Sequence, residues 1–120
     1  MFINLSNHPS AHWSERQKAA AERLCGDIID LPFPVVDPAG DEAYIAALAD
    51  EYCRKVLEMS GGKNVVVHLM GEMTLTFALV QRLCVHSIPC VASTTERVTV
   101  EYADGRKESM FQFVRFRNYR

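Results

Sequence analysis

The sequence predicts an α/β fold with a mainly parallel sheet, ordered βαβαβαβ and followed by a C-terminal antiparallel β-hairpin. Asn64-Val65-Val66-Val67-His68-Leu69 is short and β-branched, the character of a strand buried on both faces of a parallel sheet. Polar Gly71-Glu72-Met73-Thr74 then gives way to helical spacing from Leu75 to Leu83, so a strand feeds a helix through a short turn. At the other end of the chain, Arg97 to Tyr102 alternates strictly and meets Asp104-Gly105, a hairpin signal, before Ser109 to Phe116 returns as a strand.

The remaining elements follow in order. Met1-Phe2-Ile3-Asn4-Leu5 suits a first strand, stopped by the turn-forming Ser6-Asn7-His8-Pro9-Ser10. Ser14-Glu15-Arg16-Gln17 has the form of a capping box and opens a first helix that Gly26 ends. Asp27 to Leu31 reads as a second strand, closed by Pro32-Phe33-Pro34 and a loop through Gly40. Asp41 caps a second helix whose apolar positions Tyr44, Ile45, Leu48, Ala49, Tyr52 and Val56 recur at three and four residues; Gly61-Gly62 terminates it. The third helix runs from about Thr74 to Val85, and Ile88 to Ala92 gives a fourth strand ending in Ser93-Thr94-Thr95-Glu96. Three βα units with right-handed crossovers imply helices on both sheet faces, a Rossmann-like three-layer arrangement in a single domain. The α/β core covers residues 1–96 and the hairpin residues 97–120.

At 120 residues the chain has room for one core and not for two ordinary domains. A net charge of −2 advertises neither duplex nucleic acid nor membrane as a partner. The charge is uneven, however: residues 1–96 hold seven Lys or Arg against twelve Asp or Glu, and residues 97–120 six against three. A basic end on an acidic body could meet a phosphate-bearing ligand, or it could simply be a solvated strand pair. Four cysteines without C-x-x-C spacing, and no signal peptide or long apolar run, predict reduced, mostly buried thiols in a cytoplasmic protein. There is no G-x-G-x-x-G after the first strand and no P-loop, and no helical metal-ligand spacing; neither cofactor nor metal is expected.

In a parallel sheet the segments after strands one, three and four converge on one edge, where open α/β folds bind ligands. Those segments offer Ser6, Asn7, His8 and Ser10; Gly71, Glu72 and Thr74; and Ser93, Thr94, Thr95 and Arg97. Hydroxyls, free N–H groups at the start of the third helix and a guanidinium could hold a phosphate. His8 is the candidate proton carrier, since an imidazole can give or take a proton near neutral pH; the bland alternative is that Asn7 and His8 only shape the turn before Pro9. Glu72 could cap a helix or reach a ribose hydroxyl. His68 reads as a hydrogen-bonded core histidine. Trp13 is a packing residue or, at the rim of the edge, a platform for a base.

Asn4-Leu5-Ser6-Asn7-His8-Pro9 with Trp13 and Gln17, together with the turn and helix from Gly71 to Leu79, resembles the small stand-alone CRISPR-associated Rossmann-like proteins related to the CARF domain, some of which are ring nucleases. The resemblance implies a homodimer that binds cyclic oligoadenylate, the second messenger of type III CRISPR antiviral defence. It further implies a hydrolase-like nuclease that cleaves this ring without metal. On that reading His8, Asn7 and Ser10 would be catalytic, and Ser6, Trp13, Gly71, Glu72, Thr74, Ser93, Thr94, Thr95 and Arg97 would bind ligand; the motif match supports Asn7 and His8 best, and the others follow from topology. The chain has no room for the effector domain that CARF sensors carry, which favours an enzyme that removes the signal. The alternatives are a non-cleaving cyclic nucleotide sensor or sponge, a small Rossmann-like nucleoside or nucleotide hydrolase, and an interaction protein using the basic hairpin.

Overall fold

A computed structural model describes residues 1–120. The strands are β1 (Phe2–Ser6), β2 (Ile28–Asp30), β3 (Val66–Met70), β4 (Cys90–Glu101) and β5 (Lys107–Asn118); the helices are α1 (Glu15–Cys25), α2 (Glu42–Ser60) and α3 (Met73–Val85). One short 3-10 turn, Ser10–His12, links β1 to α1. All five strands form one mixed sheet in the order β2-β1-β3-β4-β5, parallel except for β4 against β5.

Local chemistry sets the helix limits. Ser14 accepts from the Gln17 N–H at 3.2 Å and Asp41 from the Tyr44 N–H at 2.9 Å, so both expected caps form. Gly61 leaves α2 in the left-handed conformation, φ 54°, where glycine carries no Cβ penalty.

Every residue of β1 is buried, because both faces of the strand are covered. Ile3 and Leu5 enter a core with Ala49, Cys53 and Val56 of α2 and Leu75, Leu79 and Leu83 of α3. Phe2 enters a smaller cluster with Trp13, Val91 and Ala21 of α1. Thus α2 and α3 cover one face and α1 the other. Side chains alternate along a strand, so Asn4 and Ser6 share the α1 face with Phe2.

The fourth strand departs from the sequence reading. Ser93 to Arg97 is not a loop after a strand ending near Ala92; β4 runs unbroken from Cys90 to Glu101 and is itself the first arm of the hairpin. Its hydroxyl residues are also β-branched and find ladder partners: Thr94 Oγ1 donates to Arg115 O at 3.1 Å and accepts from Arg115 N at 3.2 Å. β4 pairs with β3 only at Cys90 and Val91, and beyond them it pairs with β5 alone, through a register shift between Thr94 and Thr95. The arm from Ser93 to Glu101 is about 25 Å long at the usual strand rise. Gly105, at φ 89°, makes its turn. No helix is long and apolar enough to cross a membrane.

Candidate functional site

The strand order changes direction between β1 and β3, with β2 to one side and β3, β4 and β5 to the other. The chain leaves β1 for α1 on one face and β3 for α3 on the opposite face, which opens a crevice at the carboxyl edge. The polar row of the sheet lies beside this crevice. In the register of the strands, Asn4 of β1 stands opposite both Asp30 of β2 and His68 of β3.

These three side chains are joined by hydrogen bonds. Asn4 Nδ2 donates to Asp30 Oδ1 at 3.0 Å and to the His8 carbonyl at 2.8 Å. Asn4 Oδ1 accepts from Ser6 Oγ at 2.7 Å and lies 2.9 Å from His68 Nδ1. His68 Nε2 lies 3.3 Å from Ser93 Oγ, the residue of β4 nearest the edge that enters the network. Asn4 is 1% exposed and His68 2%, so each polar atom needs a partner and has one. Burial, with a smaller contribution from the nearby His8 side chain, lowers the His68 pKa to about 4 and keeps the ring neutral at neutral pH.

The network also shapes the loop after β1. The His8 carbonyl accepts from Asn4 Nδ2 and from Trp13 Nε1 at 3.2 Å, while the His8 N–H donates to Ser6 Oγ at 3.2 Å. The backbone of His8 is therefore pinned and its side chain is left exposed. Ser10 N–H points at both oxygens of Asp30, at 3.3 Å each. Asn7 and Ser6 line a cleft of about 190 Å³ together with Asp30, Pro9 and Phe33.

Other predicted positions carry structural work. Trp13 is 7% exposed, edge-on to His68 with ring centroids 5.2 Å apart, and roofs the network. A Cβ on Gly71 would lie 2.4 Å from the Phe33 ring, so glycine is needed for close approach. Glu72 caps α3: its carboxylate accepts from the Thr74 N–H at 3.1 Å, the Leu75 N–H at 2.9 Å and the Thr74 hydroxyl at 2.7 Å. The Leu75 N–H, then the Thr74 hydroxyl and N–H, hold its carboxyl below the ordinary range. Two of the N–H groups expected to be free for phosphate are thus engaged by the chain's own carboxylate. Thr94 and Thr95 stand in the β4–β5 ladder, and Arg97 donates to Ser109 Oγ from Nε and Nη2, about 13 Å beyond Ser93 along the arm.

Residues 1–117 match the Uncharacterized protein MJ1673 family. The chain belongs to that family. No curated protein and no solved structure matches it. In this chain, sequence reasoning passed over Asn4 and Asp30. The signal was present: Asn4 is a polar residue in the middle of a largely apolar strand, as is His68, and Asp30 ends another.

Two further features of the chain bear on chemistry. Burial pushes the Cys90 thiol up to about 12 and also raises that of Cys53, which makes both poor nucleophiles. On the α3 side of the edge, Met70, Gly71, Met73, Thr76, Phe77, Val80 and Tyr119 bound an apolar cleft of about 510 Å³. No group of three or more His, Cys, Asp or Glu side chains is gathered closely enough to hold a metal ion.

Proposed function

We propose that this chain is a Rossmann-like ring nuclease that binds cyclic oligoadenylate at the carboxyl edge of its sheet and opens the ring without metal, ending a type III CRISPR antiviral signal. The observation that carries the reading is the Asp30–Asn4–His68 row at the strand-order switch point, with its bonds to the pinned backbone of His8. The resemblance to CARF-related proteins rests most firmly on Asn7 and His8, in the loop after β1.

In this reading the site orients a ribose 2′-hydroxyl in line with the adjacent phosphate, and the 2′-oxygen displaces the 5′-oxygen of the next nucleotide. The exposed His8 imidazole gives the leaving oxygen its proton. Asn7, Ser6 and Ser10 hold the ring over the cleft beside them. The products are linear and end in a cyclic phosphate. The ring sits on the two-fold axis of a homodimer, and the exposed Met73 and Phe77 beside the apolar cleft supply a surface for such pairing.

The test compares His8→Ala with the wild type on cyclic tetra- and hexa-adenylate in EDTA, following products by chromatography and affinity by calorimetry. The variant is expected to keep affinity within a few-fold and lose roughly a hundredfold or more in turnover. Unchanged turnover would remove His8 from the chemistry, and tight binding with the ring intact in the wild type would make the protein a sponge.

A further inference from the structure

We propose that Ser93 is a further ligand-touching residue of this edge: its Oγ takes the proton of a ligand hydroxyl while its own proton passes to Nε2 of His68, whose ring Asn4 and Asp30 position. The assignment of that hydroxyl as a ribose 2′-hydroxyl rests on the ring-nuclease reading; the hydrogen-bond chain itself does not.

The chain of bonds has a direction, and it is fixed at the Asp30 end. A carboxylate only accepts, so Asn4 must turn its NH2 toward Asp30, and the same NH2 reaches the His8 carbonyl, another pure acceptor. That leaves Asn4 Oδ1 facing His68 Nδ1 at 2.9 Å. An amide oxygen cannot donate, so Nδ1 carries the ring proton. Nε2 then holds a lone pair, aimed at Ser93 Oγ 3.3 Å away. The Ser93 hydroxyl also lies 3.1 Å from Met70 Sδ, but a thioether is a weak acceptor and the imidazole nitrogen the stronger one. With its proton directed to His68, Ser93 Oγ has only lone pairs left for anything outside.

Exposure says where the chain ends. Asn4 and His68 are sealed beneath Trp13, whereas Ser93 is half-buried, at the point where β4 leaves β3. The hydrogen-bond chain thus opens to solvent at Ser93 on the β4 side, as it does at Asp30 on the β2 side. In the reaction, the O2′–P bond forms as the P–O5′ bond breaks. The 2′-proton goes to Ser93 Oγ, the Ser93 proton goes to His68 Nε2, and O5′ receives a proton from His8. His68 and Asn4 are positioning residues in this scheme; Ser93 touches the reacting atom.

The test reads the full-length protein in two ways. Nitrogen-15 NMR of the histidine rings at pH 7 should show His68 protonated at Nδ1 with an Nε2 resonance that shifts on Ser93→Ala. A ring protonated at Nε2, or no shift, would overturn the chain. In turnover of cyclic oligoadenylate, Ser93→Ala should lower kcat roughly a hundredfold with KM within a few-fold, and Ser93→Thr, which keeps the hydroxyl, should restore most of it. Unchanged kcat in Ser93→Ala would overturn the proton transfer. If the wild type leaves the ring intact, the ring-nuclease reading fails, and the NMR result still decides the chain.

Discussion

His68 carries the heaviest consequence of any single residue. Its folded-state pKa is depressed from 6.5 to about 4 by burial, so the unfolded chain binds the proton more tightly than the folded one. Stability is therefore full above about pH 6.5 and is lost as pH falls toward 4, by up to about 3 kcal/mol. Urea unfolding at pH 7.0, 5.5 and 4.5 should show this loss in the wild type and a flatter dependence in His68→Gln; equal slopes would disprove the assignment. The sequence made the buried histidine legible, since an imidazole inside a β-branched run has nowhere else to go. Its partners were not legible. Asn4 and Asp30 meet it only through the register of β2, β1 and β3, and register between strands joined by whole helices is written in no local pattern.

At the scale of elements, the turn between β3 and α3 illustrates how packing and capping compete with ligand binding for the same residues. Gly71 is required by the Phe33 ring, which a new Cβ would meet at 2.4 Å. Gly71→Ala should therefore cost about 1–3 kcal/mol by overpacking, measured by chemical denaturation, and the loss should shrink when Phe33→Leu is added. Glu72 is the cap of α3, and Glu72→Ala should lower the melting temperature by a few degrees without abolishing turnover. Loss of turnover at unchanged stability would instead give Glu72 the ribose contact. Its carboxyl is held below its ordinary value, so the stability the cap contributes is present at neutral pH and is lost as pH falls below the ordinary carboxyl value. Helix limits were readable because their signals are local: Ser14, Asp41 and Gly61 act within four residues of themselves. The β4 arm was misread because Ser93, Thr94 and Thr95 look like a loop by polarity, while their β-branching and a partner strand some twenty residues later make them a ladder.

For the whole molecule, the sheet order decides more than any motif. It separates the turns after β1 and β3 to opposite faces, and the candidate site lies where they part. The basic arm of β4 and β5 projects from the same edge, and Arg97, bonded to Ser109, lies about 13 Å beyond Ser93 along it. The proposed homodimer can be tested on the α3 side, where Met73 is 84% and Phe77 57% exposed. Light scattering should find a dimer that Phe77→Glu converts to monomer; a monomeric wild type would refute this part of the proposal. The class of the fold was open to sequence reasoning because hydrophobic periodicity reports it. The site was half open, through the loop from Ser6 to Ser10, because a hydrogen-bond row across three strands exists only once they are assembled. The most direct measurement is phosphorus-31 NMR of cyclic tetra- and hexa-adenylate incubated with the protein in EDTA. A resonance of a 2′,3′-cyclic phosphate end, appearing with the loss of the ring phosphodiester signal, is the expected result. An unchanged spectrum at stoichiometric enzyme would contradict it.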